Sequence, residues 1–137
     1  MLKGSSGLGK TFLLHAAAKR LLERNINVLM LSAVRYFEIA RSAYFSGDMT
    51  ELRPIMEADV LLIDDLGTEP MMNNITIPQW FTLIEERRGA GRGTVWSTNL
   101  TEADLIERYT ERIASRLLDP HVCAIYTFEG EDLRRRK

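Results

Sequence analysis

The sequence predicts an α/β domain built on a parallel sheet with helices on both faces. Short continuous apolar runs, such as residues 28–31 and 60–63, are typical of strands that are buried on both sides. These runs alternate with stretches of helical periodicity, the order that a parallel sheet requires. A glycine-rich segment, residues 4–11, lies between the first apolar run and the first helical stretch.

The individual elements follow from apolar spacing and from residues that end helices. Apolar runs predict strands at residues 1–3, 28–31, 60–63, 94–98 and 122–126. Helical spacing predicts helices at residues 10–24, 32–44, 52–56, 78–88, 102–108 and 111–118. Asn25, Gly47 and Gly89 stand where helices should end, and Pro78 suits the first turn of its helix.

Composition and charge narrow the class of protein. The 137 residues are 45% hydrophobic and 27% charged, which suits one domain, residues 1–137, with a real core. The single cysteine, Cys123, excludes an internal disulfide, and we expect a cytoplasmic protein. No apolar run approaches the ~20 residues that span a bilayer, so we expect no membrane contact. Because the net charge is −1, any nucleic-acid contact must come from a local patch.

Residues 4–11 read Gly-Ser-Ser-Gly-Leu-Gly-Lys-Thr, a complete G-x-x-x-x-G-K-[ST] phosphate-binding loop. Its backbone N–H groups can point at phosphate oxygens, Lys10 can reach the β- and γ-phosphates, and Thr11 can ligate Mg²⁺. The alternative is a Gly/Ser turn that matches by accident, which the immediately following amphipathic helix disfavours. The predicted nucleotide-binding residues are Gly4, Ser5, Ser6, Gly7, Leu8, Gly9, Lys10 and Thr11.

Two acids end the apolar run at residues 60–63. Because ligands bind beyond the carboxyl ends of parallel strands, we expect Asp64 and Asp65 beside the phosphate-binding loop. Asp64 is the expected outer ligand of Mg²⁺, which it would hold through water. Asp65 is placed to polarise the attacking water as a general base. The alternative is a strand that simply ends in two polar residues.

Asn99 follows the next predicted strand along the chain. An amide at this edge of the sheet can hold a water against a γ-phosphate. The alternative is a turn asparagine ahead of a helix cap, since Thr101 and Asp104 resemble a capping box.

Arg112 and Arg116 are four residues apart and share one face of a predicted helix. Ile113 and Leu117 occupy the neighbouring face and should anchor the helix to the core. Two fixed guanidinium groups can stabilise the charge of a transferring phosphoryl group. The alternative is a solvated face in which the arginines pair with Glu111.

The order of these segments resembles a known family. Three stretches carry the resemblance, namely Leu-Leu-Ile-Asp-Asp-Leu-Gly (61–67), Ser-Thr-Asn-Leu (97–100) and Glu-Arg-Ile-Ala-Ser-Arg-Leu (111–117). With the phosphate-binding loop, they resemble the AAA+ ATPases of the bacterial replicative-helicase loader family (DnaC/DnaI type). The resemblance covers essentially the whole chain, and the IstB-type transposition helper ATPases share the same core. The fold implied is the P-loop NTPase sheet of AAA+ proteins.

The resemblance assigns roles by position. Gly4, Gly9, Lys10 and Thr11 would be Walker A residues, Asp64 and Asp65 Walker B, Asn99 sensor 1, Arg116 the arginine finger, and Arg112 its assistant. ATP and Mg²⁺ are the implied cofactors. The finger would act on ATP in a neighbouring subunit, which implies self-assembly. The implied partners are the replicative helicase and single-stranded DNA.

In this family the region between the second and third strands carries DNA-binding helices, which implies DNA contact by Arg41, Tyr44 or Phe45. Single-strand binding uses aromatic stacking beside cations. The alternative is that this region faces the core, with the stripe Tyr36, Phe37, Ile39, Ala40, Ala43 and Tyr44.

The chain departs from the AAA+ pattern in three ways. Asp65 stands where these proteins usually carry Glu, so we expect slow hydrolysis. The first strand, central in AAA+ sheets, is reduced to residues 1–3, and we expect the N-terminal segment with which family members dock on the helicase to be absent from this sequence. Residues 128–137 leave little or no room for a C-terminal lid, and Arg134, which matches the family's terminal Gly-x-x-x-Arg, is not predicted to contact nucleotide.

The predicted function is therefore an ATP-binding, slowly hydrolysing AAA+ switch that helps load the replicative helicase onto single-stranded DNA. One alternative is an IstB-type transposition helper. A small-molecule phosphotransferase would need an acceptor site and a mobile lid. A nucleotide-binding adaptor without hydrolysis is the remaining alternative.

Overall fold

Within residues 1–135, which the computed structural model describes, the strands form one all-parallel sheet. Its members are β1 (Leu2–Gly4), β2 (Val28–Ser32), β3 (Val60–Leu66), β4 (Gly93–Thr98) and β5 (Tyr126–Phe128). Their order across the sheet is β2-β3-β4-β1-β5, so the three-residue β1 lies between β4 and β5. The predicted parallel α/β sheet, with a very short first strand, is confirmed.

Two of the helices, the second and the fifth below, begin where a side chain satisfies a free N–H group of the first turn. They are α1 (Lys10–Leu22), α2 (Ala33–Ser46), α3 (Leu52–Glu57), α4 (Thr76–Gly89), α5 (Glu102–Leu118) and a 3-10 helix (Leu133–Arg135). The Ser32 hydroxyl accepts from the Arg35 amide at the start of α2, and Thr101 and Asp104 form a capping box at the start of α5. None of the helices in this part of the chain is long and apolar enough to cross a bilayer.

The core divides into two layers because side chains alternate across the sheet. Leu61 and Ile63 of β3 face the larger cluster, which packs α2, α3, α4 and α5 against one side of the sheet. Leu62 faces the other side, where it packs with Leu2 and with Leu14 of α1. Helices on both faces follow directly from the continuous apolar run at residues 60–63 of β3.

The last strand is not where the sequence predicts it. The amides of Val122 and Cys123 both donate to the Asp119 carbonyl, which closes a turn after α5. Val122 is 52% exposed and Tyr126 is 62% exposed, so the apolar run at residues 122–126 is not a buried strand. The strand begins only at Tyr126, whose amide donates to the Met1 carbonyl and pairs β5 with β1.

A buried arginine fixes the beginning of β3 and β4. Arg87 of α4 is 1% exposed and donates through Nη1 to the carbonyls of Ile55 and Ala58, at 2.9 and 2.8 Å. Its Nη2 donates to the Gly93 carbonyl at 2.7 Å. Burial lowers the pKa of Arg87 to about 10. One side chain therefore satisfies carbonyls that precede α4 in the sequence and a carbonyl that follows it. The role of Arg87 is structural.

The helices predicted at residues 102–108 and 111–118 join into α5, with one non-helical residue between them. Thr110 has φ 70° and ψ 156°, a conformation that side chains with a Cβ rarely adopt. The halves of α5 on either side are held by buried Tyr109 and Ile113. The packing of both halves thus holds Thr110 in a strained state.

We expect Thr110→Gly to stabilise the protein by about 1 kcal/mol, because relief of ~1–3 kcal/mol of strain exceeds the entropic cost of glycine. Thr110→Ala is the matched control and should give no comparable gain, since its Cβ keeps the strain. Thermal or urea unfolding of both variants measures the difference. Destabilisation by Thr110→Gly would show that the conformation is not strained.

Candidate nucleotide-binding site

The phosphate-binding loop joins the end of β1 to the start of α1, as the motif predicts. Gly4 ends β1 with φ 151°, and a Cβ there would lie 2.4 Å from the Phe128 carbonyl oxygen of β5. Only glycine lets the loop leave the sheet so close to the neighbouring strand. Gly9 stands at the N-cap of α1, so the free N–H groups of the first turn lie beside the loop.

Lys10 carries a buried positive charge over this loop. Its side chain is 5% exposed, and Nζ donates to the carbonyls of Gly4 and Ser5 at 2.5 and 2.6 Å. Burial lowers the pKa of Lys10, an effect that the nearby carboxylates of Asp65 and Asp64 oppose. A cation held at a helix N-terminus suits a phosphate anion.

Asp64 connects the loop helix to two strands. Its carboxylate accepts from the Thr11 hydroxyl, with Oγ1 to Oδ2 at 2.9 Å, and also from the Ser97 hydroxyl of β4. Hydroxyl and carboxylate oxygens are the hard ligands that Mg²⁺ prefers. In residues 1–135, no group of three or more His, Cys, Asp or Glu side chains could hold a metal. Thr11 and Asp64 therefore fit a Mg²⁺ that a nucleotide phosphate also ligates.

Asp65 turns out of the strand into the same cleft. Its backbone is left-handed, with φ 54°, and the pairing of β3 with β4 is irregular between Ile63 and Leu66. Its amide donates to Ser97 Oγ at 2.9 Å, and its carbonyl accepts from Thr68 Oγ1 at 2.8 Å. Burial, and then the Asp64 charge, raises the pKa of Asp65, whereas Lys10 lowers it. A carboxylate with a raised pKa is a better proton acceptor than an exposed one.

Lys10, Thr11 and Asp65 line one cleft of about 470 Å³, a volume within the usual range for ligand sites. Asn99, which follows β4, shares the cleft with Lys10, Thr11 and Asp65. The ends of β1, β3 and β4 thus bring together side chains that are far apart in the sequence. Ser97, which the sequence analysis did not single out, bonds to both acids, and its only sequence signal is its place before Thr98 and Asn99.

The segment after β5 lies across the loop and adds residues to the cleft. The Leu133 amide donates to the Gly7 carbonyl at 2.9 Å, and Arg134 Nη2 donates to Ser6 Oγ at 3.0 Å. Arg134 also pairs with Asp132 at 3.0 Å, and a Cβ on Gly7 would lie 1.9 Å from that carboxylate. Arg134, which the sequence analysis left outside the site, therefore lines the cleft.

Arg112 and Arg116 lie elsewhere. Their guanidinium carbons stand 4.0 and 4.8 Å from the centre of the Phe81 ring. Arg116 Nε pairs with Glu85 Oε1 at 2.6 Å, so its acidic partner is Glu85 of α4 rather than Glu111. Arg116 lines a separate open cleft of about 720 Å³, and neither arginine lines the cleft at the phosphate-binding loop.

The three candidate DNA-contacting residues form an exposed patch at the end of α2. Phe45 is 66% exposed and Tyr44 is 54% exposed, and their rings meet edge to face at 5.3 Å. The Arg41 guanidinium lies 5.7 Å from the centre of the Phe45 ring. The core-facing stripe contains Tyr36, Phe37, Ala40 and Ala43, but Tyr44 is outside it.

Comparison with known proteins places this site in a family. Residues 1–137 match the family model described as IstB-like ATP binding protein. The replicative helicase loader DnaI of Bacillus subtilis (strain 168) is 25% identical over 144 residues, which cover 97% of this chain and 46% of that protein. The chain thus spans about half the length of this curated relative.

Solved structures show the same fold. The crystal structure of the DnaC helicase loader is 22% identical, with a TM-score of 0.81, over 93% of this chain and 76% of that chain. The replication initiator DnaA bound to AMPPCP and single-stranded DNA is 22% identical, with a TM-score of 0.80, over 95% of this chain and 40% of that chain. At such identities the likeness establishes the AAA+ fold alone.

The resemblance to loader-type AAA+ proteins and IstB-type ATPases, predicted from the order of the motifs, is confirmed. Because the family model matches every residue from 1 to 137, the chain belongs to the family of IstB-like ATP-binding proteins.

Proposed function

We propose that residues 1–137 form one AAA+ core domain, a slow ATPase that helps load the replicative helicase onto single-stranded DNA. One observation supports this most directly. Lys10, Thr11, Asp65 and Asn99 share a cleft with the phosphate-binding loop, whereas the candidate finger Arg116 lies outside it. A site divided in this way is completed only when a second subunit contributes its arginines.

Each residue of the site would have a separate role in the binding and hydrolysis of ATP. Loop amides and Lys10 would bind the phosphates of ATP, as the loop binds anions generally. Thr11, with Asp64 through water, would hold Mg²⁺, which neutralises phosphate charge when bound. Asp65 would accept a proton from the attacking water, and Asn99 would orient that water. Because Asp65 is one methylene shorter than the usual Glu, we expect slow turnover.

Arg116 and Arg112 would stabilise transition-state charge on ATP held by a neighbouring subunit. The aromatic ring of Phe81 supports both guanidinium groups, and the carboxylate of Glu85 pairs with that of Arg116. An arginine held this way is positioned before the neighbour docks, which lowers the ordering cost of assembly.

The relatives favour helicase loading, since DnaI and DnaC are both described as helicase loaders. The IstB-like family model favours a second candidate, a transposition helper. Retention of purified replicative helicase on the immobilised protein in ATP would support the loader, and retention of a transposase instead would support the helper.

Substitutions of Lys10 and Arg116 distinguish loss of ATP binding from loss of ATP hydrolysis. Lys10→Ala should abolish ATP binding, because the loop loses its phosphate-binding cation. Arg116→Ala should keep ATP binding but lower the hydrolysis rate by roughly 10³-fold, the lower range for arginine fingers. Arg20→Ala, an exposed arginine of α1, is the matched control. If Arg116→Ala hydrolyses ATP like the wild type, Arg116 is not the finger.

The raised pKa of Asp65, the proposed general base, predicts how the stability of the protein depends on pH. Because its folded pKa is raised, the free energy of unfolding should fall as pH rises from about 3.9 through the folded pKa. Asp65→Asn removes this cost, so the variant should melt higher than the wild type at neutral pH, with a difference that shrinks toward pH 4. The same variant should lose ~10²-fold or more of hydrolysis.

Asp59→Asn, an exposed acid just before β3, is the control for Asp65→Asn and should keep wild-type hydrolysis. A lower melting temperature of Asp65→Asn at neutral pH would contradict the raised pKa.

We further propose that the patch of Arg41, Tyr44 and Phe45 contacts single-stranded DNA. Phe45→Ala should weaken binding of an oligonucleotide about tenfold, since stacking on one base contributes ~1–3 kcal/mol. Tyr126→Ala, which removes an equally exposed aromatic ring from β5, should bind like the wild type. Fluorescence anisotropy measures both, and equal loss in the two variants would exclude a specific patch.

A further inference from the structure

A buried carboxylate that the proposed chemistry does not use lies just after the Walker B acids. Glu69 is 1% exposed. Its Oε2 accepts from the Gly67 amide at 2.9 Å, and its Oε1 accepts from Trp80 Nε1 at 2.9 Å and from the Tyr109 hydroxyl. These donors come from three segments of the chain. A carboxylate buried this deeply is tolerated only because its oxygens are all bonded.

The bond to Gly67 holds the turn that carries Asp65. This turn is short, since the amide and hydroxyl of Thr68 both bond to the Asp65 carbonyl. It is also closely packed, because a Cβ on Gly67 would lie 2.6 Å from Leu100. Glu69 is therefore fixed to the same turn that aims Asp65 into the cleft.

The bond to Tyr109 holds the middle of α5. Burial and the Glu69 carboxylate raise the pKa of Tyr109, so its phenol remains a proton donor to that carboxylate. The next residue is the strained Thr110, and the segment that follows carries Arg112 and Arg116. Tyr109 is thus the last anchored residue before the arginine-bearing half of α5.

The junction contains two energetically costly features within three residues. Thr110 has a left-handed backbone, and among residues 1–135 the buried Arg108 Nε has no hydrogen-bond partner. Arg108 nevertheless donates through Nη2 to the Glu69 backbone carbonyl. Strain and unsatisfied polar groups persist where the surrounding structure enforces a particular geometry. That geometry sets the direction of the second half of α5, whose Ile113 and Leu117 pack in the core.

We propose that Glu69 is a positioning residue that, through Tyr109, fixes the arginine-bearing half of α5 to the Walker B turn. This inference rests on the proposed function, because it assumes that the arginines act on a neighbour's ATP. In each subunit, the turn that carries Asp65 and the half of α5 that carries Arg112 and Arg116 are then held together. Asp65 acts on ATP in the same subunit, whereas the arginines act on ATP in the neighbouring subunit. The effect falls on Arg112 and Arg116, whereas ATP binding in the same subunit is unaffected.

Subunit mixing tests this directly. Arg116→Ala subunits keep an intact cleft and lack the finger, and Lys10→Ala subunits keep the finger and lack ATP. A mixture should restore hydrolysis, since Lys10→Ala supplies the arginine. Addition of Tyr109→Phe to the Lys10→Ala subunit should lower the restored rate tenfold or more, because the segment that carries its arginines is no longer bonded through Tyr109 to Glu69 and the Walker B turn. Addition of Tyr109→Phe to the Arg116→Ala subunit should change the rate less than twofold.

Tyr36→Phe is the matched control, because it removes another buried hydroxyl, which donates to the Gln79 carbonyl at 3.0 Å and not to Glu69. In the Lys10→Ala subunit it should leave the restored rate within about twofold. Glu69→Gln, which faces at least one of its donors with an amide N–H, should also lower the restored rate when the Lys10→Ala subunit carries it. Melting temperatures of all variants identify any that fail to fold.

The outcomes separate the two proposals. Failure of the simple mixture to restore hydrolysis would overturn the finger in trans and, with it, the role of Glu69. Restoration that Tyr109→Phe and Glu69→Gln leave unchanged would overturn the role of Glu69 alone. Equal losses whichever subunit carries Tyr109→Phe would mean that the bond is merely structural.

Discussion

The hydrogen bonds of the Asp64 carboxylate hold the candidate site together. This one group accepts from Thr11 at the start of α1 and from Ser97 in β4, and it stands at the end of β3. Three elements that are distant in sequence are therefore aligned at one edge of the sheet. Ser97 in turn accepts from the Asp65 amide, so the same contacts orient the proposed base. The parallel direction of the strands makes this convergence possible.

The two arginines of α5 lie outside the cleft that Asp64 helps to form. Asp65 and Asn99 are fixed in the cleft, but Arg112 and Arg116 lie on Phe81, away from it. In the proposed function, a single chain thus carries the two halves of a reaction site on different surfaces. Activity would then depend on contact between subunits, which suits a switch better than a rapid enzyme. The buried Glu69 accepts from the Gly67 amide in the turn that carries Asp65, and from the Tyr109 hydroxyl just before the arginine-bearing segment.

The sequence predicted most of this fold because β2 and β3 contain continuous apolar runs and the loop motif is complete. The apolar run at residues 60–63 predicts a strand buried on both faces, and the spacing of Gly9, Lys10 and Thr11 predicts the position of the loop. The run at 122–126 misled because its apolar side chains are exposed and the Asp119 carbonyl closes a turn there. Contacts between residues far apart in the chain could not be predicted from the sequence pattern either. Arg134 bonds to Ser6 across nearly the whole chain, and Glu69 in a polar loop gave no sign of burial.

The central claim is that the site is completed by a neighbouring subunit. The most direct measurement is the ATPase rate per mole of protein as a function of protein concentration, in Mg²⁺, with and without single-stranded DNA. We expect a slow specific rate that climbs with protein concentration. A measurable rate that stays flat would contradict it, because a self-contained site needs no second subunit and would point to a phosphotransferase. No hydrolysis at any concentration would also contradict it and would favour a nucleotide-binding adaptor.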